Sequence, residues 1–388
     1  MKKVSTFLLC LLFCLGVQAQ SGWTGTFATA VEYTGEKDMP QHVTLQGNTL
    51  RQIVMVSLGG SELQLQLSNT FGNGPVEIES VYIADVKDSC DIDARTATYL
   101  TFGGKRGVTI KPGSMMMSDV VSYHLKPLQL LAVTICYGKK SPGHATSHRG
   151  ARAHSFLALG TVKPGKRFRT VEKVTHWYNL SSINVKTNEK AVAVLGNSIT
   201  DGYASTTDGR DRWTDAMNRE LKGKVGVLNL GIGANCVVSG GISEPGSKRF
   251  DRDILGQQGV DKLIVFEGTN DIGTANDSDT HVADRLIGCY KVMISKAHAK
   301  GIKVYGGTIT PFYGNGWYTP QHEVERQKVN KWIRESGAFD GVMDFDKLLA
   351  DPQTPIRMRK EYAFDYLHPN PRGYAAMGAY AAKILTSE

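Results

Sequence analysis

Cysteine is scarce in this sequence, and its few cysteines form no recognisable pattern. Of six cysteines in 388 residues, two lie in the first 19 and the others are far apart: Cys90, Cys136, Cys236 and Cys289. This spacing fits neither a disulfide framework nor a zinc knuckle. Each of the four lies within or beside an apolar stretch, where free cysteine is commonly buried. The scarcity therefore excludes a small disulfide-stabilised scaffold.

Basic runs and long apolar runs are missing as well. The formal net charge is +8, or +6 without Lys2 and Lys3, and no basic run is interleaved with aromatic residues. We therefore expect no nucleic-acid partner. Beyond the first 19 residues, no apolar run is long enough to span a membrane. The apolar fraction of 41% is that of a globular protein, and 388 residues favour two domains.

Residues 1–19 have the pattern of a secretory signal peptide. Lys2 and Lys3 precede an apolar run at 7–17, and a small-residue cleavage pattern ends at Ala19. The residue before Cys14 is bulky, whereas lipoprotein sites carry a small residue there. We therefore expect simple cleavage after Ala19 and a secreted or periplasmic protein.

Residues 20–185 are typical of an all-β domain. The segment 63–67 alternates strictly between Leu and Gln, as a strand with one solvated face does. Other β-rich runs are separated by Gly-rich turns, which favours a sandwich of jelly-roll type. We find no internal repeat, and the polar stretch 186–190 is the expected domain boundary.

Residues 186–388 alternate between strand and helix patterns. The predicted strands are 191–195, 225–228, 262–266, 303–308 and 341–345. Helical spacing of apolar residues is clear over 282–297. A second helix is predicted over 321–335, with these side chains inward: Val324, Val329, Trp332 and Ile333. The pattern predicts a five-stranded parallel sheet with helices on both faces, whose ligands bind beyond the carboxyl ends of the strands.

The segment 191–202 joins the first of these strands to a helix through Gly196, Asn197 and Ser198. A serine at such an elbow can present its hydroxyl to a substrate, and free N–H groups at the helix start can stabilise an oxyanion. The alternative is an ordinary strand–turn–helix in which Ser198 is a cap.

Polar residues follow three further strands. A glycine-rich segment at 229–235 follows the second strand, and Asn270 follows the third. Asp365 and His368 lie beyond the last strand, at a spacing that lets both face one side of a turn. His368 can then act as the general base for Ser198 while Asp365 orients it. Each residue also has an ordinary structural interpretation, but all four segments fall at one edge of one predicted sheet.

With these four segments in this order, the sequence resembles the SGNH (GDSL-like) hydrolases. Their motifs are a Gly-Asp-Ser block, a glycine block, Gly-x-Asn-Asp and Asp-x-x-His. The segments 249–253, 267–272 and 344–346 are most similar to xylan-esterase-like members with an N-terminal β-domain. The resemblance implies a flavodoxin-like sheet and serine esterase chemistry without metal or cofactor. It also implies an oxyanion hole built from the N–H groups of Ser198 and Ala234 and the Asn270 side chain, with Gly233 as the alternative to Ala234.

Two residues depart from the family pattern. Asn197 replaces the usual Asp, which keeps the capping oxygen but removes a negative charge beside the nucleophile. Ala234 replaces a glycine, and its N–H serves equally well unless the backbone φ must be positive. Neither change removes a nucleophile or a proton carrier, so we expect an active enzyme.

Two other groups of residues have two interpretations each. The aromatic residues after the fourth strand suit sugar stacking or core packing, and of these Tyr313 and Trp317 are the candidates for substrate binding. His144, His148 and His154 could suggest a metal site, but their Gly-, Ser- and Arg-rich surroundings favour an ordinary loop.

We therefore expect a secreted serine esterase that removes acetyl groups from a plant-type, xylan-like polysaccharide or its oligosaccharides. We assign no chemistry to residues 20–185, which we expect to position the polymer. One alternative is a catalytically weak or silent carbohydrate-binding protein, which Asn197 favours. The other is a lipase or thioesterase that acts on non-carbohydrate esters.

Overall fold

A computed structural model describes residues 22–141 and 143–387, so the predicted signal peptide lies outside the described residues. The chain is all-β as far as Thr187 and alternates strands and helices from Ala191 onward. We call residues 22–187 the β-region and residues 191–387 the α/β region. None of the helices in the described part is long and apolar enough to cross a membrane.

The β-region contains sixteen strands and one short 3₁₀ helix, Glu36–Asp38, among its described residues. The strands are β1 Gly22–Ala28, β2 Glu32–Thr34, β3 Thr49–Met55, β4 Gly60–Asn69, β5 Val76–Asp88, β6 Asp91–Ile92, β7 Thr98–Leu100, β8 Val108–Ile110, β9 Ser114–Met117, β10 Val121–Leu125, β11 Leu130–Tyr137, β12 Ala145–His148, β13 Ser155–Ala158, β14 Glu172–Val174, β15 Trp177–Tyr178 and β16 Leu180–Thr187.

Two antiparallel sheets of the β-region enclose one core. One sheet has the order β1-β16-β4-β10, with β9 also on β4, and the other has the order β14-β13-β3-β11-β5-β6, with β7 and β8 also on β5. The leucines of β4 pack into this core and the intervening glutamines are partly exposed, as the alternation predicts. A small third sheet, β15-β12-β2, completes the region. The all-β prediction is confirmed, and its jelly-roll type stays a prediction.

The α/β region contains five strands and eight α-helices among its described residues. The strands are β17 Ala191–Gly196, β18 Gly226–Gly231, β19 Val260–Phe266, β20 Lys303–Gly307 and β21 Gly341–Met343. The helices are α1 Ser198–Asp201, α2 Trp213–Leu221, α3 Gly246–Phe250, α4 Thr269–Gly273, α5 Val282–His298, α6 Pro320–Glu335, α7 Phe345–Leu349 and α8 Pro371–Thr386, with a π-helical segment at Asp251–Leu255.

The five strands form a parallel sheet in the order β18-β17-β19-β20-β21, which confirms the predicted sheet. This is the flavodoxin-like order, in which the first strand lies between the second and third. Side chains of β17 alternate between two buried cores, one shared with α5 and α6 and the other with α2 and α8. Because both faces are covered, the strand needs no polar side, which explains its continuous apolar run.

Helix α6 departs from its prediction at one position. Val329 and Ile333 are buried and Trp332 is partly buried, as expected. Val324, which we predicted to be inward, is 48% exposed, so that assignment is wrong. It lies in the first turns of the helix, beside the buried Glu325, whose carboxylate accepts a hydrogen bond from the N–H of Ala283 in α5. The face turned toward α5 at this end is therefore polar.

The β-region packs directly against the edge of the parallel sheet at β18. Ser57 Oγ accepts a hydrogen bond from Val227 N at 3.1 Å, and Gly25 N donates to Gln258 O at 2.9 Å. Ala28 and Ala30 belong to the same buried core as one face of the sheet. The two regions therefore share apolar packing and backbone contacts.

Candidate active site

The strand β17 ends in a tight turn that presents Ser198. Asn197 caps helix α1, and its side-chain oxygen accepts a hydrogen bond from Ile199 N at 3.0 Å. A Cβ atom at Gly196 would lie 2.1 Å from Thr200 Oγ1, so only glycine fits where the chain turns. Ser198 is thereby the first residue of the short helix and is 9% exposed.

Three of the predicted side chains lie in a hydrogen-bonded line. Ser198 Oγ is 2.9 Å from His368 Nε2, and His368 Nδ1 is 2.9 Å from Asp365 Oδ2. The other carboxylate oxygen of Asp365 accepts hydrogen bonds from the N–H groups of Leu367 and His368. Although partial burial opposes ionisation, these hydrogen bonds lower the pKa of Asp365 to about 2. The carboxylate is therefore ionised at neutral pH and able to hold the His368 ring.

Neighbouring groups fix the position of this line. The ring of Tyr203 lies 4.4 Å from the His368 ring, centroid to centroid. The backbone oxygen of Asp365 accepts a hydrogen bond from the Asn315 amide at 3.1 Å. The Tyr374 hydroxyl donates to the backbone oxygen of Tyr203 at 2.6 Å. The His368 ring is thus held from its face as well as from its nitrogen.

The three predicted oxyanion donors border the same cleft as Ser198. Within the described residues, the backbone N–H groups of Ser198 and Ala234 donate to no protein acceptor. The Asn270 amide donates one hydrogen bond to Asn235 O at 2.7 Å. An amide carries two N–H bonds, so a second donor remains on Asn270. Gly233 also borders the cleft and stays the alternative to Ala234.

Ala234 has a positive backbone φ, the one condition under which replacing glycine there carries a cost. Its φ is +54°, in the left-handed region. A side chain in that region costs roughly 1–2 kcal/mol. Two hydrogen bonds hold this strained turn in place, from Asn235 N to Ile232 O and from Ile242 N to Ala234 O. The family's preference for glycine at this position therefore has a conformational reason.

Arg249, which is fully buried, connects three segments beneath the cleft. Its guanidinium donates to Asn235 Oδ1 at 2.9 Å, to Leu230 O at 2.7 Å and to Gly196 O at 3.2 Å. It also lies 3.6 Å from the carboxylate of Glu267. Arg249 therefore ties the loop after β18 to the end of β17, immediately before the nucleophile.

The carboxyl group of Glu267 is buried behind the cleft, and Asp271 is partly buried. Burial raises the pKa of Glu267 well above its ordinary value, while the nearby Arg249 guanidinium opposes the rise. Burial likewise raises the pKa of Asp271, whose oxygens accept hydrogen bonds from Val237 N and Val238 N. Asp271 thus fixes the loop that carries Ala234.

The cleft in front of Ser198 is lined by both regions of the chain and has a volume of about 410 Å³. The residues that line it from the α/β region are Ser198, Asp201, Tyr203, Gly233, Ala234, Ile242, Asn270, Trp317 and His368. The β-region contributes a wall that we did not assign to the site from the sequence: Glu32, Asp38, Arg149, Gly150, Arg152 and His176. The only sequence signal for this wall is the pair of arginines three residues apart beside His148.

Charges in this wall are paired rather than free. Arg149 lies 3.0 Å from the Glu32 carboxylate and 3.6 Å from that of Asp38. Arg152 Nη2 lies 2.6 Å from Asp201 Oδ2. The wall therefore offers polar groups without a large excess of one charge, which suits a polar and uncharged ligand.

The two aromatic candidates for substrate binding are placed differently. Trp317 borders the cleft. Tyr313 is not among the residues that line the cleft, and its ring packs at 4.8 Å against Tyr318 instead. Phe312 is fully buried in the core. Of these three aromatic residues, only Trp317 borders the cleft.

The three histidines of the β-region have separate partners. His144 is bonded to Tyr33, His148 to Asp201 and His154 to Asp208. His148 lies on strand β12 and is buried, so the expectation of an ordinary loop is wrong for it. Among residues 22–141 and 143–387, no group of three or more His, Cys, Asp or Glu side chains could hold a metal ion. The four cysteines described are unpaired: Cys90, Cys136, Cys236 and Cys289.

Comparison with solved structures finds several proteins that match about half of this chain. A carbohydrate acetylesterase from Sinorhizobium meliloti is 16% identical, with 51% of this chain and 99% of that chain covered and a TM-score of 0.40. A member of the lipolytic G-D-S-L family from Veillonella parvula is 22% identical, with 51% and 100% covered and a TM-score of 0.40. A GDSL-like lipase from Bacteroides thetaiotaomicron is 20% identical, with 50% and 87% covered and a TM-score of 0.39.

The family comparison agrees with the motifs and with the sheet. No curated protein matches the chain. The model of the GDSL-like Lipase/Acylhydrolase family matches residues 194–376, from within β17 to within α8. This span includes Ser198, Asn270, Asp365 and His368. Residues 194–376 therefore match a GDSL-like lipase/acylhydrolase domain, as the motifs of the sequence predict.

Proposed function

We propose that this protein is a serine esterase that removes acetyl groups from a carbohydrate, with an acetylated xylan-like polysaccharide or its oligosaccharides as the favoured substrate. The observation that carries the proposal is the line from Ser198 Oγ through His368 to Asp365, with both hydrogen bonds at 2.9 Å. A nucleophile, a base and an orienting carboxylate in this geometry are the requirements for acyl transfer.

In the first half of the proposed reaction, Ser198 Oγ forms a bond to the acetyl carbonyl carbon. Its proton passes to His368 Nε2, and the ionised Asp365 stabilises the resulting imidazolium. Negative charge develops on the carbonyl oxygen, toward the N–H groups of Ser198 and Ala234 and the free N–H of Asn270. The ester C–O bond then breaks, and the sugar oxygen takes the proton from His368. The product is an acetylated Ser198 and a free hydroxyl.

Water completes the cycle in the second half. His368 takes a proton from the water as its oxygen attacks the acetyl carbon, and the same donors stabilise the second oxyanion. The bond to Ser198 Oγ then breaks, and Ser198 regains its proton from His368. Acetate leaves, and the enzyme needs no metal or cofactor for any of these steps.

The walls of the cleft support a polar alcohol as the leaving group. Paired charges at Arg149, Arg152 and Glu32 can exchange hydrogen bonds with hydroxyl groups, and Trp317 offers an aromatic face. A lipase or thioesterase acting on non-carbohydrate esters is the second candidate. The partly exposed side chains of Tyr203 and Ile242 at the cleft favour it.

The test of this proposal is hydrolysis of an aryl acetate and acetate release from acetylated xylan by the wild type and by Ser198→Ala. We expect Ser198→Ala to keep its fold and to lose nearly all activity on both substrates, because the covalent route disappears. Ser205→Ala is the matched control, since Ser205 lies in the same segment but does not line the cleft.

A Ser198→Ala variant with the wild-type rate would refute the assignment of the nucleophile. Activity on aryl and long-chain esters without acetate release from any polysaccharide would favour the second candidate. Binding of polysaccharide with no Ser198-dependent turnover would mean a silent carbohydrate-binding protein.

We also propose that the enzyme acts outside the cytoplasm. The pattern of residues 1–19 supports export, and a polysaccharide substrate would be met there. Detection of the mature N-terminus after Ala19 in the periplasmic or extracellular fraction tests this proposal.

A further inference from the structure

Asp201 ends the short helix that begins with Ser198, and it is 1% exposed. Its carboxylate accepts hydrogen bonds from two side chains of the β-region. His148 Nε2 lies 2.9 Å from Oδ1, and Arg152 Nη2 lies 2.6 Å from Oδ2. Although burial opposes ionisation, these two partners lower the pKa of Asp201. The last residue of the nucleophile helix is therefore an ionised carboxylate held from outside its own domain.

His148 is itself fixed. Its Nδ1 lies 2.9 Å from the backbone oxygen of Ala30, its ring stacks on Trp177, and its side chain is 3% exposed. Ala30 O and the ionised Asp201 can only accept hydrogen bonds. His148 presents a donor to Asp201 from a strand, β12, that cannot shift without breaking the small sheet.

Helix α1 cannot move independently of Asp201, its last residue. It has four residues, and Asp201 N donates to Asn197 O at 2.8 Å to close its first turn. A Cβ atom on Gly150 would lie 2.1 Å from Asp201 Oδ2, and one on Gly233 would lie 3.6 Å from it. Asp201 is thus enclosed between the β-region and the loop that carries Gly233 and Ala234. A shift of its carboxylate must be passed to Ser198 or to that loop.

We propose that His148 and Arg152 are positioning residues for Ser198, acting through Asp201, so that the β-region completes the catalytic geometry. This inference rests on the proposed esterase function. Misplacing a reacting group by about 1 Å can cost on the order of 10²-fold in rate. Contacts made far from the substrate should therefore alter kcat and leave KM nearly unchanged.

The experiment compares His148→Leu, His148→Gln and Gly150→Ala with the wild type on an aryl acetate. We expect kcat to fall about 10- to 100-fold in His148→Leu with KM nearly unchanged. His148→Gln should recover much of the loss, because its amide can still donate to Asp201. Gly150→Ala removes no hydrogen-bonding group, has an allowed φ and should lower kcat by displacing the Asp201 carboxylate.

His154→Gln is the matched control. His154 Nδ1 lies 2.5 Å from Asp208 Oδ2, so this pair also joins the β-region to the α/β region, but it touches neither α1 nor the cleft. We expect His154→Gln to keep the wild-type kcat. Equal kcat losses in His154→Gln and His148→Leu would overturn the proposal, since any contact between the regions would then suffice.

A second readout does not depend on activity. Amide hydrogen exchange of the segment 198–203 should be faster in His148→Leu than in His154→Gln at the same global stability. Unchanged exchange and a wild-type kcat in folded His148→Leu would overturn the proposal. If the wild type hydrolyses no ester, the proposed function fails, and the exchange comparison alone decides the positioning role. If His148→Leu does not fold, His148→Gln and Gly150→Ala give the same comparison.

Discussion

At the scale of single residues, Asn197, which departs from the family motif, lies beside the buried carboxyl group of Glu267. Glu267 is fully buried, and neither of its carboxyl oxygens has a hydrogen-bond partner of good geometry in the described residues. The Asn197 amide also opposes the rise in the pKa of Glu267, although their contact falls short of hydrogen-bond geometry. An Asp at 197 would place a second carboxyl group beside this one. A neutral amide therefore suits a buried acid whose ionisation is already disfavoured.

Glu267 should make stability depend on pH in a specific direction. Its pKa in the folded protein lies well above the ordinary 4.5. The folded state therefore holds a proton that the unfolded state has released, and the stability due to Glu267 is lost as pH rises from about 4.5 through the folded pKa. We expect Glu267→Gln to gain in Tm relative to the wild type as pH rises from about 5 through the neutral range.

Melting curves of both proteins across this range check the prediction, with kcat measured alongside. Glu323→Gln controls for charge removal, since that side chain is on α6 and pairs with Arg326. A Tm difference between the wild type and Glu267→Gln that is constant, or that moves in favour of the wild type as pH rises, would mean that Glu267 is ionised in the folded protein.

At the scale of elements, the site depends on two loops that hold each other. The loop after β18 carries Ala234 at a positive φ, and the first turn of α4 carries Asn270. The Asn270 amide donates to Asn235 O, and the Asp271 carboxylate accepts from Val237 N and Val238 N. Asn270 thus has a structural contact and an unused N–H toward the cleft. Its substitution should affect both stability and rate.

Replacing Asn270 separates the two roles by magnitude. Asn270→Asp puts a carboxylate oxygen against the Asn235 carbonyl and removes the donor to the oxyanion. Loss of one oxyanion donor typically costs about 10²–10³ in kcat, and the added negative charge should increase the loss, with KM nearly unchanged. Asn270→Ala should lower the free energy of unfolding by about 1–3 kcal/mol and should also remove the N–H donor to the oxyanion. A folded Asn270→Ala with the wild-type kcat would remove Asn270 from the site.

The sequence predicts a strand or helix correctly where a single pattern, such as a continuous apolar run or helical spacing, determines it. Strand β17 is a continuous apolar run because both faces of the sheet are buried, and α5 follows a clear helical spacing. The position of Ser198, Asn270 and His368 at one sheet edge follows from parallel topology alone. Val324 was misassigned because spacing does not show which turn of a helix meets a neighbour. The side-chain roles of the site stay predictions until they are tested.

The part of the cleft wall that the β-region forms could not be predicted from such patterns. His148 and Asp201 are 53 residues apart, and their contact depends on how two regions dock. No periodicity or motif encodes that docking. The local sequence around a histidine does not show whether the side chain is exposed in a loop or hydrogen-bonded to a buried carboxylate. The signals that were present, Arg149 and Arg152, have meaning only once Asp201 is seen beside them.

At the scale of the whole molecule, the β-region lines the candidate active site as well as packing against the parallel sheet. It covers the β18 edge of the sheet, lines the cleft with Arg149 and Arg152, and holds Asp201 through His148. From the sequence we expected it to position polymer, so that its removal would harm polysaccharide hydrolysis more than hydrolysis of a small ester. The contacts now favour an equal loss on both substrates.

We therefore expect a truncated protein of residues 186–388 to lose activity on an aryl acetate as severely as on acetylated xylan. Removing the β-region would expose the apolar core that includes Ala28 and Ala30 and leave the Val227 amide without its Ser57 acceptor. The buried Asp201 carboxylate would also lose both of its donors, and an uncompensated charge of this kind costs several kcal/mol. The measurement is kcat and KM on both substrates, with solubility and Tm.

The control for this truncation is a chain cut in the linker between Thr187 and Ala191, with both parts retained. We expect the cut pair to stay associated and active, because the contacts between the regions do not depend on the linker. A soluble truncated protein that keeps the wild-type kcat on the aryl acetate, while losing only polysaccharide hydrolysis, would return the β-region to a purely polymer-positioning role.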